Sequence, residues 1–187
     1  MPKYNIYNIY IICKNEEDFL KKSEELFSEY KSKICHIQWV PAEYLKLTQC
    51  NKKLLKDLNT RWNTDGKKIL AKLGTIAAHR KALLAIYMNK TDNNIILESD
   101  ATFSAKLPPP PHVSCYLGGW IIPPQITKAG LVKINVHPKK GLNSIEYGKF
   151  SVLMAHALFI KTFEEAMELF QTTITDKIKN YDIHLID

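Results

Sequence analysis

The stretch Asn93-Asn94-Ile95-Ile96-Leu97-Glu98-Ser99-Asp100-Ala101-Thr102-Phe103 decides the fold. An apolar run breaks into two carboxylates one residue apart and resumes at Phe103, which predicts a buried strand whose C-terminal end carries the acids. In open α/β sheets ligands bind where strands leave the core, and carboxylates at alternate positions of an extended segment point the same way and can share one hard cation. The pattern points to a metal-assisted site for a phosphorylated ligand. A strand end with solvated acids fits the same residues.

Upstream, Thr91-Asp92-Asn93-Asn94 is the turn into this strand, and Leu73 to Asn89 predicts a helix rich in Ala and Leu that Gly74 opens. His79 and Arg80 then fall near the beginning of that helix, where anions are favoured; a structural, hydrogen-bonding His is the alternative. Residues 42–72 are polar, rich in Lys and Asn and weakly periodic, so a mobile or partly helical excursion is expected there. Within it Arg61-Trp62-Asn63 suits phosphate or base contact, or else a surface Arg packed on a Trp.

The N-terminal part supplies the layer beneath. Tyr4 to Cys13, rich in Ile and Tyr, predicts a first strand. From Asp18 to Tyr30, Phe19, Leu20, Leu26, Phe27 and Tyr30 recur at helical spacing, an amphipathic helix over one sheet face. Ile34 to Val40, closed by Pro41, completes a βαβ unit and hence a parallel strand pair with a right-handed crossover.

Downstream, Leu107 to Pro111 contains four consecutive prolines, which exclude helix and central strand and make a stiff connector or a weak SH3-type ligand. Val113 to Leu117 predicts a strand ending in Gly118-Gly119-Trp120, where two glycines permit close backbone approach. Residues 121–148 suggest loops and an edge hairpin around 131–136. Ser151 to Ile160 is strand-like and carries His156. Thr162, three residues before Glu165, looks like the N-cap of a helix through Phe170 with Ala166, Met167 and Leu169 inward. Asp176 to Asp187 closes the chain.

A chain of 187 residues fits one domain over 1–187, and 45% hydrophobic with 24% charged residues is an ordinary globular composition. The start lacks a secretory signal pattern, and no apolar run approaches the roughly 20 residues that span a bilayer. A soluble, cytoplasmic protein without a transmembrane segment is expected. Cys13, Cys35, Cys50 and Cys115 are scattered without a CxxC pair, which suits buried, unbridged thiols rather than a disulfide framework or zinc site. A net charge of +7 attracts phosphates, nucleic acid or anionic surfaces alike, and its dispersal over Lys pairs also fits a solvated surface.

Taken in order, these pieces resemble glycosyltransferase family 25. Tyr7 to Cys13 looks like the family's opening strand, Gly74 to His79 resembles its Gly-Cys-x-x-Ser-His helix start, and Ile95 to Phe103 resembles its Leu-Glu-Asp-Asp-Ala strand end. Tyr116-Leu117-Gly118-Gly119 is similar to its Tyr-Leu-Gly strand end, and Ala155-His156-Ala157 with Tyr181-Asp182 to its Thr-His-Ala and late Asp motifs. The resemblance implies a GT-A type (Rossmann-like) nucleotide-sugar-binding fold, a mostly parallel sheet flanked by helices. It implies inverting transfer of a sugar from a UDP-sugar donor to an acceptor hydroxyl, with Mn²⁺ or Mg²⁺ as cofactor.

On that resemblance Asp100 is a metal ligand, with Glu98 as the outer acid towards ribose or bound water and His184 completing the shell. Asp182 is the general base, and Lys14, His79, Arg80, Ser99, Gly118, Gly119 and His156 form the nucleotide-sugar-binding set. The acceptor is left open among glycan, protein and nucleic acid. Three departures stand out: Ser99 replaces the middle acid, Ala78 replaces the Ser before His79, and Lys14-Asn15 stands where the family has an Asn-Leu-x-x-Arg turn. A catalytically degenerate scaffold with the same fold, or a basic nucleic-acid-binding protein, remain the alternatives.

Overall fold

A computed structural model of the chain describes residues 6–44, 46, 52, 56, 58, 66–103, 107, 109–117, 120–122, 151–153 and 157–172. Strand β1 (Tyr7–Cys13) leads through helix α1 (Glu16–Tyr30) to strand β2 (Ile34–Pro41). Helix α2 (Gly66–Asn89) leads to strand β3 (Asn94–Glu98). Strands β4 (Cys115–Tyr116), β5 (Trp120–Ile122), β6 (Ser151–Leu153) and β7 (Ala157–Ile160) follow, and helix α3 (Phe163–Thr172) comes last.

Five strands form a mixed sheet in the order β2-β1-β3-β7-β4, with β1 parallel to both β2 and β3. β7 runs antiparallel to β3 and β4, so one strand opposes four others. β5 and β6 make a separate antiparallel pair. The fold is therefore α/β, with helices on both faces of the main sheet.

The two faces follow from strand alternation. Tyr7, Ile9, Ile11 and Cys13 of β1 join Ile95, Leu97 and Phe159 under Leu26 and Tyr30 of α1. Tyr10 and Ile12 point the other way and join Ile96, Leu158 and Ile160 under Ala78, Ala82, Leu83 and Ile86 of α2 and Ala166 of α3. Tyr7 and Phe159 meet edge to face at 6.2 Å. Because α1 and α2 cover opposite faces, the chain moves from β1 to β2 over one face and returns to β3 over the other.

Local signals explain most element ends. Asn15, extended at φ −145°, caps α1 by accepting from the Asp18 amide at 2.8 Å, and Glu16, Glu17 and Asp18 complement the helix dipole. Thr162 caps α3 by accepting from the Glu165 amide at 3.2 Å. At the end of α2, Lys90 adopts φ 51°, its amide bonds Tyr87 O and the Thr91 amide bonds Ile86 O, a Schellman ending that aims the chain into β3.

Several expectations are corrected. The acid-tipped strand ends at Glu98: the Ala101 amide donates to Glu98 O at 3.0 Å, so Ser99 and Asp100 occupy a turn and not a continued strand. Helix α2 begins at Gly66, which makes Gly74 a buried mid-helix residue and moves His79 and Arg80 far from the N-terminus. The last residues of the 42–72 excursion are helical, in keeping with its partly helical reading. α1 begins two residues early, and its Leu20 and Phe27 are 53% and 40% exposed, displaced from the sheet by Ser23 and the Lys22 stem. Within the expected strand 151–160, Ser151–Leu153 and Ala157–Ile160 are strands of different sheets, and the strand expected over 113–117 spans Cys115–Tyr116. Cys35 is exposed, because it lies on the edge strand β2. The Arg61-Trp62-Asn63 motif, the 131–136 hairpin and the C-terminal segment from Asp176 lie outside the described residues.

Two outcomes are expected. Phe159→Ala lowers unfolding free energy by about 3–5 kcal/mol in urea denaturation, whereas Leu20→Ala stays within about 0.5 kcal/mol. Burial, with the charge of Asp18 second, pushes the Cys13 thiol up to about 11. Alkylation of the native chain at pH 8, followed by mass spectrometry, should therefore label Cys35 and spare Cys13 until denaturant is added.

Candidate active site

The three parallel strands end together. Ile12 of β1 is level with Glu98 of β3, and Cys13 is level with Pro41 of β2. Beyond them the Ser99 amide bonds Ile12 O at 3.1 Å and the Ala42 amide bonds Cys13 O at 2.8 Å, so the exits of β2 and β3 stay attached to β1. Since the connections leave on opposite faces, a crevice must open at this edge, the topological switch point of an open sheet.

An open cleft of about 560 Å³ occupies that place. Its walls are the tip of β1 (Ile12, Lys14), the exit of β2 (Ala42, Glu43, Tyr44), one face of α2 from Lys67 to His79, and the turn Glu98-Ser99-Asp100. The volume suits a small-molecule ligand.

His79 is 2% exposed, and its Nε2 lies 3.2 Å from Glu98 Oε1. The interior thus holds one oxygen of a carboxylate whose side chain is 27% exposed. Asp100 and Ser99 are exposed on the turn, and Lys14 and Lys67 are exposed at the rim. Glu43, the third carboxylate of the cleft, is ion-paired with Lys81. Two acids and two lysines around one crevice can take a polyanion together with a hard cation.

Of the residues singled out from sequence, Lys14, His79, Glu98, Ser99 and Asp100 come together here. Arg80 does not. One residue on from His79, about 100° around the helix, its guanidinium lies 4.1 Å over the Phe170 ring and donates to Phe170 O at 3.2 Å. Burial lowers its pKa. It fastens α2 to α3 and faces away from the cleft. Gly118, Gly119, His156, Asp182 and His184 lie outside the described residues. Among the described residues, no group of three His, Cys, Asp or Glu converges as a metal cage. Glu98 and Asp100 nonetheless fit the habit of Mg²⁺-like ions, which take one or two carboxylates and complete their shell with phosphate and water.

Glu43, Tyr44 and Lys67 were not anticipated as wall residues. The available signal was Gly74, since a glycine inside a helical pattern usually marks a close approach of another chain segment. No family model matches the chain, and no curated protein or solved structure matches it.

Removing the Arg80 clamp separates structure from site. Arg80→Ala should cost roughly 1–2 kcal/mol in chemical denaturation, from the lost hydrogen bond and ring contact. It should leave the His79 imidazole resonances, which report the Glu98 contact, unshifted in NMR spectra of the folded chain.

Proposed function

We propose that the cleft is a nucleotide-sugar site and that the chain is a metal-dependent glycosyltransferase of GT-A type acting on a UDP-sugar. The observation that carries this is the convergence of Lys14, His79, Glu98 and Asp100 at the shared C-terminal edge of β1, β2 and β3. Family resemblance supplies the sugar-transfer chemistry and the uridine; the cleft supplies a place and a donor set for a diphosphate.

Each described residue then has a task. Glu98, held by buried His79, offers a carboxylate whose direction is set before ligand arrives. Asp100 offers the second from the turn. Glu98 and Asp100 would hold Mn²⁺ or Mg²⁺, which would supply positive charge to offset that of a departing diphosphate. Lys14 and Lys67 add cationic charge at the rim, and the apolar strand ends exclude water from behind. The resemblance assigns deprotonation of the acceptor hydroxyl to Asp182, in an inverting displacement.

Calorimetric titration of UDP with and without Mn²⁺ tests the proposal. Binding should require the metal, and Asp100→Ala or Glu98→Gln should weaken it by roughly 10–100-fold or more, the scale set by losing a metal-site group. UDP-sugar hydrolysis should disappear with Asp100→Ala. Metal-dependent binding without hydrolysis or transfer would favour the non-catalytic alternative, for which Ser99 in place of an acid is the motivating residue. Heat in no combination would overturn both.

A further inference from the structure

The segment that leaves β2 is fastened to α2 unusually closely. A Cβ on Gly74 would lie 2.2 Å from the backbone oxygen of Glu43 and 3.3 Å from its carbonyl carbon. That contact is with backbone, so no side-chain rotation relieves it, and a glycine that costs about 1 kcal/mol in a helix interior is required there. Two turns further along α2, Lys81 forms an ion pair with the Glu43 carboxylate. On the other side, the Ala42 amide is bonded to Cys13 O at 2.8 Å. Residues 42–44 are therefore held from the helix and from the sheet at once.

What this arrangement presents is Tyr44. It lines the cleft and is 67% exposed. A large aromatic left in water beside a cleft retains its apolar area for a ligand to cover, and anchored backbone reduces the ordering cost of doing so. Lys14, Ser99 and Asp100 line the same cleft from the tips of β1 and β3, so a charged region and an aromatic one share it. A ligand with an anionic part and a planar part matches that division.

We propose that Tyr44 is a stacking platform for the base of a bound nucleotide, and that Gly74 with the Glu43–Lys81 pair is the seat that holds it in place. The proposal rests on the nucleotide-site assignment above and adds a base subsite to it. Stacking on an aromatic face tolerates every base, because each has a π-face. The platform therefore supplies affinity, and purine and pyrimidine nucleotides both use it.

The test titrates UDP, ADP and inorganic pyrophosphate, each with Mn²⁺, into the full chain by calorimetry. Tyr44→Ala should weaken UDP and ADP by about tenfold or more and leave pyrophosphate unchanged, while Tyr44→Phe keeps wild-type affinity for all three. Gly74→Ala should repeat the Tyr44→Ala pattern. Should that variant fail to fold by circular dichroism, Lys81→Met, which releases the seat without a clash, should shift the two nucleotides in the same direction by a smaller factor. UDP affinity unaltered by Tyr44→Ala would overturn the platform and leave the nucleotide site standing. Equal losses for UDP and pyrophosphate would overturn it too, since the effect would then not involve the base. Wild-type chain that binds neither UDP nor pyrophosphate would overturn the site and the platform together.

Discussion

Strand β1 has water on none of its sides. β2 and β3 hydrogen-bond its two edges, α1 buries one face, and α2 buries the other. Every residue from Tyr7 to Cys13 except Asn8 is consequently buried, and the strand has no room for the alternation of a half-exposed one. Polar chemistry can be placed only where the strand stops. At its C-terminal end both neighbours stop level with it, and the connections depart over opposite faces. The cleft follows from that arrangement, which fixes where a ligand can reach charged groups without disturbing the core.

Two residues on α2 break the ordinary rules of a buried helix face, and both line this cleft. Gly74 sacrifices helix propensity where Glu43 backbone comes close. His79 is a polar ring at 2% exposure, whose desolvation is offset by its hydrogen bond to Glu98. Elsewhere the buried face of α2 is Ile69, Ala78, Ala82, Leu83 and Ile86, as packing alone would choose. Departures from local rules are expected at functional or strained sites, and here two of them share one cleft. Arg80, equally polar and one position away, makes the contrast: it is used for packing α3, through a ring and a carbonyl that no residue-type pattern discloses.

Much of the frame was legible because it rests on short periodicities. The Ile-rich runs of β1 and β3, the capping signal at Thr162, and the βαβ order each carry their own physical cause in adjacent residues. The switch-point position of the acids followed from the same logic. What could not be read depends on distant partners. Helix α2 extends back to Gly66 although its first turn has two lysines and no acid, against the dipole preference, and Ile69 is fully buried there. The apolar run at 151–160 gave no sign that it serves two sheets. Leu20 and Phe27 satisfied a helical pattern that α1 meets with Leu26 and Tyr30 instead, because the angular position of the helix is set by the sheet below.

The turn after β3 makes the two acids unequal. Had the strand continued, alternation would have aimed Glu98 and Asp100 alike; the Ala101 to Glu98 hydrogen bond ends that equivalence. Glu98 is tied to the interior through His79, while Asp100 sits on an exposed turn. A hard cation held by one fixed and one adjustable carboxylate gains little from the protein alone and depends on ligand oxygens to fill its shell. Cation and phosphorylated ligand would then each raise the affinity of the other by the same factor, as linkage requires. Under that coupling, groups that hold the nucleotide would also favour metal retention, and the acids would favour nucleotide retention, so that a cleft built from four separate elements would respond as one unit.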